Sequence, residues 1–416
     1  MSALREESQD QDIRRLGILG AGMMGAGIAY ASAKAGIAVV LLDTTLDQAE
    51  KGKGYSGSAL ARELEAGRIE ASQRKVILDR IETTTDFGDL AGCNLIIEAV
   101  FEDPAVKADV TGKAEAVISE KAVYASNTST LPISGLAEAS IRPRNFIGLH
   151  FFSPVDRMPL VEIIKGARTS TETLGRCKHY VRQIGKTPIV VNDSRGFYTS
   201  RVFGTYTMEG AALLLEGQDP GVIETVGVEI GMPMGPLAIL DQISLSLCLQ
   251  LIEQTRRGLA AEGRPAPELP GVAAIERMVR ELDRPGRKAG RGFYDYPPGQ
   301  RKSLWNGLGQ HFVMQAPIAR RDIADRLIFP QANEAARCYE EGIVERVADA
   351  NTGSMLGWGF PPRYGGALEF INRYGVARFV GRACQLAGQY GPRFEPAQIL
   401  LQLAAEGSEL RDDART

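Results

Sequence analysis

The chain has 416 residues, of which 44% are hydrophobic and 24% charged, with a formal net charge of −3 at pH 7. This length predicts two or three domains, and the charge gives no basis for binding nucleic acid or an anionic membrane. The five cysteines are scattered without a Cys-x-x-Cys spacing, as in reduced cytoplasmic proteins, and no ligand cluster predicts a metal site. The polar N-terminus lacks a signal-peptide core, and no apolar run reaches the about 20 residues of a membrane span.

The beginning of the chain carries a dinucleotide-binding pattern. An apolar run at residues 16–19 leads into Gly20-Ala21-Gly22-Met23-Met24-Gly25, and a helical pattern follows. A second apolar run at residues 37–42 then ends at Asp43. Strand, G-x-G-x-x-G, helix, strand and acid in this order are a specific signal, whereas the glycine motif alone is weak.

Each glycine of the motif has a physical task. Gly20 permits the tight turn, Gly22 lets the backbone approach a pyrophosphate, and Gly25 lets the helix pack on the strand. Asp43 lies at the end of the second strand, where a carboxylate accepts hydrogen bonds from ribose hydroxyls and repels a 2′-phosphate. Thr44 follows, with no arginine to receive that phosphate. The sequence therefore predicts NAD and not NADP.

The next segments add charged and polar groups at the same edge of the predicted sheet. Residues 46–80 have a helical pattern. Among its lysines and arginines, Lys51, Lys53, Arg62 and Arg68 either contact an anionic ligand or form a solvated helix face. The apolar run at residues 94–100 predicts a parallel strand buried on both faces, with Glu102 and Lys107 just beyond its ligand-facing end. A further strand at residues 123–126 precedes Asn127-Thr128-Ser129-Thr130, which either contacts a ligand or caps a helix.

One histidine stands opposite a carboxylate in a predicted hairpin. His150 lies in an apolar strand-like run, and Glu162 lies in the next one. If the chain reverses near Asp156, the two residues are directly opposed, with Cβ atoms about 4.5–5.5 Å apart. Glu162 then orients the imidazole and stabilises its charged form, as a general base requires. The alternative is that His150 is a buried core residue whose ring nitrogens are merely hydrogen-bonded, and that Glu162 lies at a strand edge, neither having a catalytic role. His179, in a helical pattern at residues 171–184, is interpreted as structural.

The second half of the chain is helical in pattern and contains a repeat. At an offset of 125 residues, four residues of the first copy recur in the second: Arg201, Glu209, Ala211 and Gly217 as Arg326, Glu334, Ala336 and Gly342. Duplicated helical units usually pack on one another and share a buried face. Between the copies, a basic glycine-rich loop at residues 284–292 either contacts phosphates or is a solvated linker.

These segments together resemble the L-3-hydroxyacyl-CoA dehydrogenase family, and more closely the dehydrogenase half of the multifunctional fatty-acid β-oxidation α-subunits. The resemblance covers residues 15–405. Its motifs are the glycine motif, Glu98-Ala99-Val100-Phe101-Glu102, Asn127-Thr128-Ser129-Thr130-Leu131, His150-Phe151-Phe152-Ser153-Pro154, Gly290-Arg291-Gly292-Phe293-Tyr294 and the loop at residues 359–366.

The resemblance implies a role for each matched position. It makes His150 the general base, Glu162 its orienting partner, and Ser129 a contact of the substrate oxygen or the nicotinamide region. The implied cofactor contacts are Gly20, Ala21, Gly22, Met23, Met24, Gly25, Asp43, Val100, Glu102, Lys107, Ser129, Ser153 and Lys288. Ser200 and Ser153 stand where the family often has asparagine, and serine is shorter, so a substrate contact of Ser200 is left open. Arg195 replaces a common proline.

The expected fold is α/β, a Rossmann-type dinucleotide-binding domain followed by a duplicated all-helical domain. The expected boundaries are a polar tail at residues 1–14, the NAD domain at 15–193, helical repeat 1 at 194–303 and helical repeat 2 at 304–416. The resemblance implies NAD-dependent oxidation of an (S)-3-hydroxyacyl-CoA in fatty-acid β-oxidation, with the acyl-CoA lying between the domains. Two alternatives stay open: a dehydrogenase of free 3-hydroxy acids, and a noncatalytic NAD-binding subunit of a β-oxidation complex.

The expected partners follow from the same resemblance. The α-subunits carry an enoyl-CoA hydratase region ahead of the dinucleotide domain, and here only about 14 residues precede it. A separate hydratase and a thiolase are therefore expected to supply the neighbouring steps. Because the second repeat can cover the first within one chain, a homodimer is possible but not required.

Overall fold

The computed structural model describes residues 12–414, which form two compact units. The first unit contains the described residues up to Phe197 together with Ile343–Glu345. The second contains Tyr198–Gly342 and the described residues from Arg346 onwards. Most of the predicted polar tail, residues 1–11, lies outside the described residues.

The first unit is built on an eight-stranded sheet in the order β3-β2-β1-β4-β5-β6-β7-β8. The strands are β1 (Arg15–Leu19), β2 (Ala38–Leu42), β3 (Ile81–Thr84), β4 (Leu95–Glu98), β5 (Val123–Ser126), β6 (Phe146–Phe151), β7 (Leu160–Lys165) and β8 (Thr187–Asn192). From β3 to β6 all pairs are parallel, β7 is antiparallel to β6, and β8 is parallel to β7. The strand order reverses between β1 and β4, and ligands of such sheets bind at the carboxyl ends of the strands there.

Helices cover both faces of this sheet, because its central strands are mostly apolar and are buried on both sides. They are α1 (Met23–Lys34), α2 (Leu46–Glu65), α3 (Ala71–Asp79), α4 (Pro104–Glu115), α5 (Ile133–Leu136) and α6 (Thr171–Gln183). Short 3₁₀ turns occupy Phe87–Leu90, Ala137–Ala139 and Pro143–Asn145. The buried side chains between these layers form one continuous core.

Two details of this unit differ from the sequence prediction. The helical pattern at residues 46–80 is divided, because the chain turns at Gly67, where φ is +66°, and α3 starts afresh with a capping box between Glu70 and Gln73. The edge strand β3 was not predicted. Its Glu82 is exposed, as an outer strand permits, so it lacks the apolar run of the inner strands.

The other edge of the sheet is closed by residues far away in the sequence. Val344 forms an antiparallel bridge with Val191 of β8, and the Asn192 N–H donates to the Ile343 carbonyl at 2.7 Å. The Glu345 carboxylate lies 3.5 Å from the Lys165 ammonium. The segment Ile343–Glu345 therefore satisfies backbone groups that β8 would otherwise expose at its edge.

The second unit is helical. Its helices are α7 (Thr199–Leu215), α8 (Pro220–Glu229), α9 (Pro236–Ile243), α10 (Leu245–Ala261), α11 (Val272–Glu276), α12 (Leu308–His311), α13 (Arg320–Glu340), α14 (Val347–Gly357), α15 (Ala367–Tyr374), α16 (Val376–Tyr390) and α17 (Gln398–Glu406). It also has a π turn at Arg277–Glu281 and 3₁₀ turns at Arg287–Ala289, Pro362–Tyr364 and Pro392–Phe394.

Two features of the second unit add to the predicted helices. A small antiparallel pair, β9 (Tyr294–Asp295) and β10 (Ser303–Leu304), was not predicted. Within residues 12–414, no single helix has the length and apolar character to cross a membrane, and only the bent pair α9 and α10, taken together, meets those two criteria.

The repeated arginines and glutamates pair across the two long helices α7 and α13. Arg326 of α13 donates to Glu209 at 2.7 Å and to Glu216 at 2.8 Å. At an offset of 125 residues, Arg201 of α7 makes the same pairs with Glu334 and with Glu341. Each arginine thus contacts the two glutamates of the other helix, which is the reciprocity expected of a self-complementary interface.

A second reciprocal contact joins the loop after α8 to the loop after α14. A Cβ added at Gly231 would lie 2.9 Å from the Pro361 side chain, and one added at Gly359 would lie 2.7 Å from the Pro233 side chain. The glycine of each loop therefore packs under the proline of the other. Two independent sets of contacts relate the helical segments in the same reciprocal way.

The basic loop at residues 284–292 is only partly available to a ligand. Arg284 is buried, stacks on Trp305 at 4.2 Å, and donates to the Gly292 carbonyl at 2.6 Å. Arg291 is paired with Asp283. Lys288 remains exposed.

Candidate active site

The glycine motif forms the turn between β1 and α1. Gly20 has a φ of +94°, and a Cβ there would lie 2.7 Å from the Ala99 carbonyl oxygen. A Cβ on Gly25 would lie 1.8 Å from the Gly20 carbonyl oxygen, so only glycine allows this close packing. A Cβ on Gly22 meets nothing within 4 Å. The space before the α1 N-terminus is therefore open, and its N–H groups suit a pyrophosphate.

Asp43 connects the end of β2 to the glycine motif. Its carboxylate accepts hydrogen bonds from the Ala21 N–H at 2.7 Å and from the Thr44 N–H at 2.6 Å. The Thr44 hydroxyl also donates to it at 3.2 Å. A carboxylate has about four lone-pair sites, so these bonds still leave acceptor capacity for a ribose hydroxyl. This arrangement fits the adenosine end of NAD, and the role of Asp43 stays a prediction.

We expect Asp43→Ala to raise KM for NAD by about 10- to 100-fold, since charged hydrogen bonds contribute about 1.5–3 kcal/mol. The same change removes the negative charge that repels a 2′-phosphate, so the preference for NAD over NADP should narrow. Asp43→Asn is the control for the charge: it keeps the size of the side chain and an acceptor oxygen for Ala21, but its NH2 group replaces the oxygen that accepts from Thr44. Steady-state kinetics with both cofactors measures the effect, and unchanged KM values would show that Asp43 does not face the ribose.

The predicted hairpin of His150 and Glu162 is confirmed. The two residues are directly paired in the register of β6 and β7. The His150 Nδ1 lies 2.9 Å from the Glu162 Oε2, and the Glu162 side chain is fully buried. Because a carboxylate accepts, the Nδ1–H is the donor, and the imidazole lone pair then lies on Nε2.

Two aromatic rings surround this imidazole. The Phe152 ring centroid lies 4.4 Å from that of His150, and the Phe197 ring lies 6.2 Å away. Both contacts restrict the rotation of the ring. Their packing and the Glu162 bond hold His150 in one orientation, as a catalytic group requires.

The tip of the same hairpin reaches the glycine motif. The Ser153 hydroxyl lies 3.6 Å from the sulfur of Met23, the first residue of α1. Val155 packs on the same helix, where a Cβ on Gly27 would lie 2.8 Å from its side chain. The hairpin tip and the start of α1 are therefore neighbours within the first unit.

A buried ion network lies where β4 ends. The Lys107 ammonium is 2.9 Å from Glu98 Oε1, 3.1 Å from Glu98 Oε2 and 3.4 Å from Glu102 Oε2. The Glu98 carboxylate also accepts from the Ser126 hydroxyl and the Val100 N–H. Burial raises the pKa of Glu98 above its ordinary value, and the charge of Lys107 opposes this. The amino group of Lys107 is directed to carboxylates, so its contact with NAD stays a prediction.

The other carboxylate of this network, Glu102, holds the polar loop after β5. Its Oε1 accepts from the Thr128 hydroxyl, from the Ser129 N–H at 3.2 Å and from the Thr130 hydroxyl at 3.4 Å. Among the described residues, Glu102 is thus a loop anchor, and any NAD contact would add to that task.

The predicted site residues divide between the two units. The glycine motif, Asp43, Val100, Glu102, Ser129, His150, Ser153 and Glu162 all belong to the carboxyl edge of one sheet. Ser200, in the first turn of α7, and Lys288 belong to the second unit, and their parts in binding stay predictions. No group of three or more His, Cys, Asp or Glu within residues 12–414 is arranged to hold a metal ion.

Sequence reasoning missed two groups near the site. Glu98 was included in a motif but given no task, although an acid inside an apolar strand, with a lysine nine residues later, signals a buried pair. Phe197 was not connected with His150, because nothing in the sequence indicates that residues 47 apart have neighbouring rings.

Comparison with known proteins agrees with this geometry. A family model described as 3-hydroxyacyl-CoA dehydrogenase, NAD binding domain, matches residues 15–194. The model of the C-terminal domain of the same family matches residues 196–296. The chain is 37% identical over 405 residues to a fatty acid oxidation complex subunit alpha of Pseudomonas savastanoi, covering 95% of this chain and 55% of the relative. The chain thus spans about half the length of the curated relatives it matches.

Two solved structures resemble this one. An (S)-3-hydroxybutyryl-CoA dehydrogenase from Ralstonia eutropha is 35% identical, with a TM-score of 0.63, over 69% of this chain and 100% of that one. A 3-hydroxybutyryl-CoA dehydrogenase from Escherichia coli K12 has a TM-score of 0.82 at 22% identity, over 95% of this chain and 99% of that one, which shows the fold alone. With its two matched domains and a relative covered from end to end, the chain belongs to the 3-hydroxyacyl-CoA dehydrogenase family.

Proposed function

We propose that the chain oxidises the C3 hydroxyl of an (S)-3-hydroxyacyl-CoA to the ketone, with NAD as hydride acceptor, in fatty-acid β-oxidation. The observation that carries this is the buried pair of His150 and Glu162, 2.9 Å apart, on the sheet edge that bears the glycine motif. A noncatalytic NAD-binding subunit would have no need of an oriented imidazole at that edge. The pair therefore favours a catalytic chain.

The residues of this chain then act as follows. Glu162 holds the Nδ1–H of His150, so Nε2 accepts the proton of the substrate hydroxyl while C3 loses its hydride. The same carboxylate stabilises the imidazolium that forms. NAD, when bound, supplies the electrophilic ring that accepts the hydride. Ser129 donates a hydrogen bond to the substrate oxygen.

The substrate class rests on the family and on the relatives. The Ralstonia eutropha enzyme is named for a coenzyme A ester, and the Pseudomonas relative for fatty acid oxidation. The open alternative is an enzyme of free 3-hydroxy acids, which would need cations for a substrate carboxylate. A separate enoyl-CoA hydratase and a thiolase are proposed as neighbouring enzymes, and a cytoplasmic location stays a prediction from composition.

The test is a steady-state assay of the purified chain with NAD. The substrates are the (S)-3-hydroxyacyl-CoA esters from the C4 ester, 3-hydroxybutyryl-CoA, to the C16 ester, 3-hydroxyhexadecanoyl-CoA. We expect oxidation within this series, with a kcat/KM for the best ester at least about 10²-fold above that of free 3-hydroxybutyrate. Such a ratio is within the reach of binding energy from a remote, non-reacting part of the substrate. Equal rates for the free acid would favour the alternative, and an inactive chain would favour a noncatalytic subunit.

A further inference from the structure

The loop that carries Ser129 is fixed at both ends to the strand that carries His150. Residues 127–134, here called the Ser129 loop, lead from β5 into α5. At the first end, the side-chain oxygen of Asn127 accepts the N–H of Phe151, the residue after His150, at 3.0 Å. The loop thus begins bonded to the last residue of β6.

At the second end of the loop, the Ile133 side chain packs directly against β6. A Cβ added at Gly148, two residues before His150, would lie 2.7 Å from Ile133 Cδ1 and 2.9 Å from Ile164 Cβ. Ile133 is fully buried. The glycine therefore leaves the place that the Ile133 side chain fills, and the end of the loop rests directly on β6.

Asp193 holds this second end in place. Its Oδ1 accepts from the Ile133 N–H at 2.8 Å, and its Oδ2 accepts from the Ser134 N–H at 2.6 Å. These are charge-assisted bonds to N–H groups at the start of α5, which have no partner inside the helix. Asp193 directly follows β8, and the nearby Gly196 N–H adds a bond of 3.3 Å to the Thr130 carbonyl.

The carboxylates of Glu102 and Asp193 bind two different parts of the Ser129 loop. Glu102, beyond β4, accepts hydrogen bonds from one donor group of each of residues 128–130, as described above. Asp193, beyond β8, takes the backbone of residues 133 and 134. Asp193 itself takes no part in the proposed chemistry. Its two carboxylate oxygens each accept a backbone N–H group, and two such bonds fix the position of the loop more firmly than one would.

We propose that Asp193 is a positioning residue that acts through Ser129, by keeping the Ser129 loop in register with His150. The inference rests on the proposed function, in which Ser129 contacts the substrate oxygen. Asp193→Ala is expected to lower kcat by about 10²-fold, the effect of a displacement near 1 Å in a catalytic constellation. KM for NAD should change much less than kcat, because the variant leaves the predicted pyrophosphate and ribose contacts, the glycine motif and Asp43, untouched.

The test is a double-mutant cycle with Ser129→Ala. If Asp193 acts through Ser129, Asp193→Ala in the Ser129→Ala background should lower kcat by less than about threefold further, because coupled residues are not additive. An equal loss in both backgrounds, or a wild-type kcat in the single variant, would overturn the proposal. Should Asp193→Ala fail to fold, Asp193→Asn, which keeps one acceptor oxygen, carries the same cycle.

Glu115→Ala is the matched control. Its carboxylate likewise clasps a loop of the first unit, accepting from the Ser140 hydroxyl at 2.6 Å and the Ile141 N–H at 2.8 Å. That loop precedes the amino end of β6, away from His150. We expect the control to lose stability and keep kcat. A comparable loss of kcat in the control would reduce Asp193 to a structural role, and an inactive wild-type chain would overturn the proposed function as well.

Discussion

Replacing His150 by glutamine is expected to lower kcat by about 10²–10⁴-fold, the contribution of a general base. Glutamine has similar reach and can still bond Glu162 on β7, but its amide cannot accept the hydroxyl proton. The residues predicted to bind NAD are not altered by this change. NAD binding, measured by calorimetry, should therefore be retained while turnover is lost.

His179→Gln is the matched control for that variant. His179 on α6 also contacts a carboxylate, with Nε2 2.6 Å from Asp12, but it was interpreted as structural and lies in a helix. The control should keep kcat near that of the unaltered chain. A His150→Gln variant with a near-normal kcat would exclude His150 as the base, whatever the control shows.

Replacing Arg326 by methionine is expected to lower the free energy of unfolding by about 3 kcal/mol. The side chain is fully buried and pairs with Glu209, whose side chain is 2% exposed. Removing one member of a buried ion pair leaves the other charge without compensation, at a cost of about 3–5 kcal/mol. The lower end applies here because Arg393 also contacts Glu209, at 2.7 Å. Denaturant unfolding measures the difference.

The repeat supplies the control for this prediction, because Arg201 makes the same two pairs from the other helix. Its side chain is 24% exposed, so water screens the glutamates that it would leave behind. Arg201→Met should therefore lower the free energy of unfolding by only about 1 kcal/mol. Equal losses for the two arginines would contradict the argument from burial, and a loss below about 1 kcal/mol for Arg326 would contradict the pairing.

The parts of the fold that could be predicted rest on local patterns. The glycine motif is followed at fixed distances by a helix, a strand and Asp43, and the inner strands are mostly apolar runs. The pairing of His150 with Glu162 followed from the length of one turn, since a hairpin sets its own register. In each case the residues that decide the structure are close together in the sequence.

What could not be predicted depends on contacts between distant residues. The segment Ile343–Glu345 has no strand pattern, yet it closes the edge of β8, about 150 residues earlier. The three residues of the segment do not themselves indicate this pairing.

The same limit applies to charged groups, whose burial cannot be read from periodicity. The offset of 125 residues reveals that Arg201 and Arg326 correspond, but not that each reaches across to the other helix. Lys107 was predicted beside NAD because it follows β4. Its actual neighbours are Glu98 and Glu102, which lie nine and five residues earlier in the sequence. An ion pair with these two carboxylates could therefore have been predicted before a contact with NAD.

We propose that this chain moves a hydride from C3 of a 3-hydroxyacyl-CoA to NAD with His150 as the base. The most direct test uses (S)-3-hydroxybutyryl-CoA deuterated at C3, incubated with NAD and the purified chain, with mass spectrometry of the NADH formed. We expect NADH that carries the deuterium, in amounts equal to the 3-ketoacyl product, and almost none with His150→Gln. Unlabelled NADH, or labelled NADH formed at an undiminished rate by His150→Gln, would contradict it.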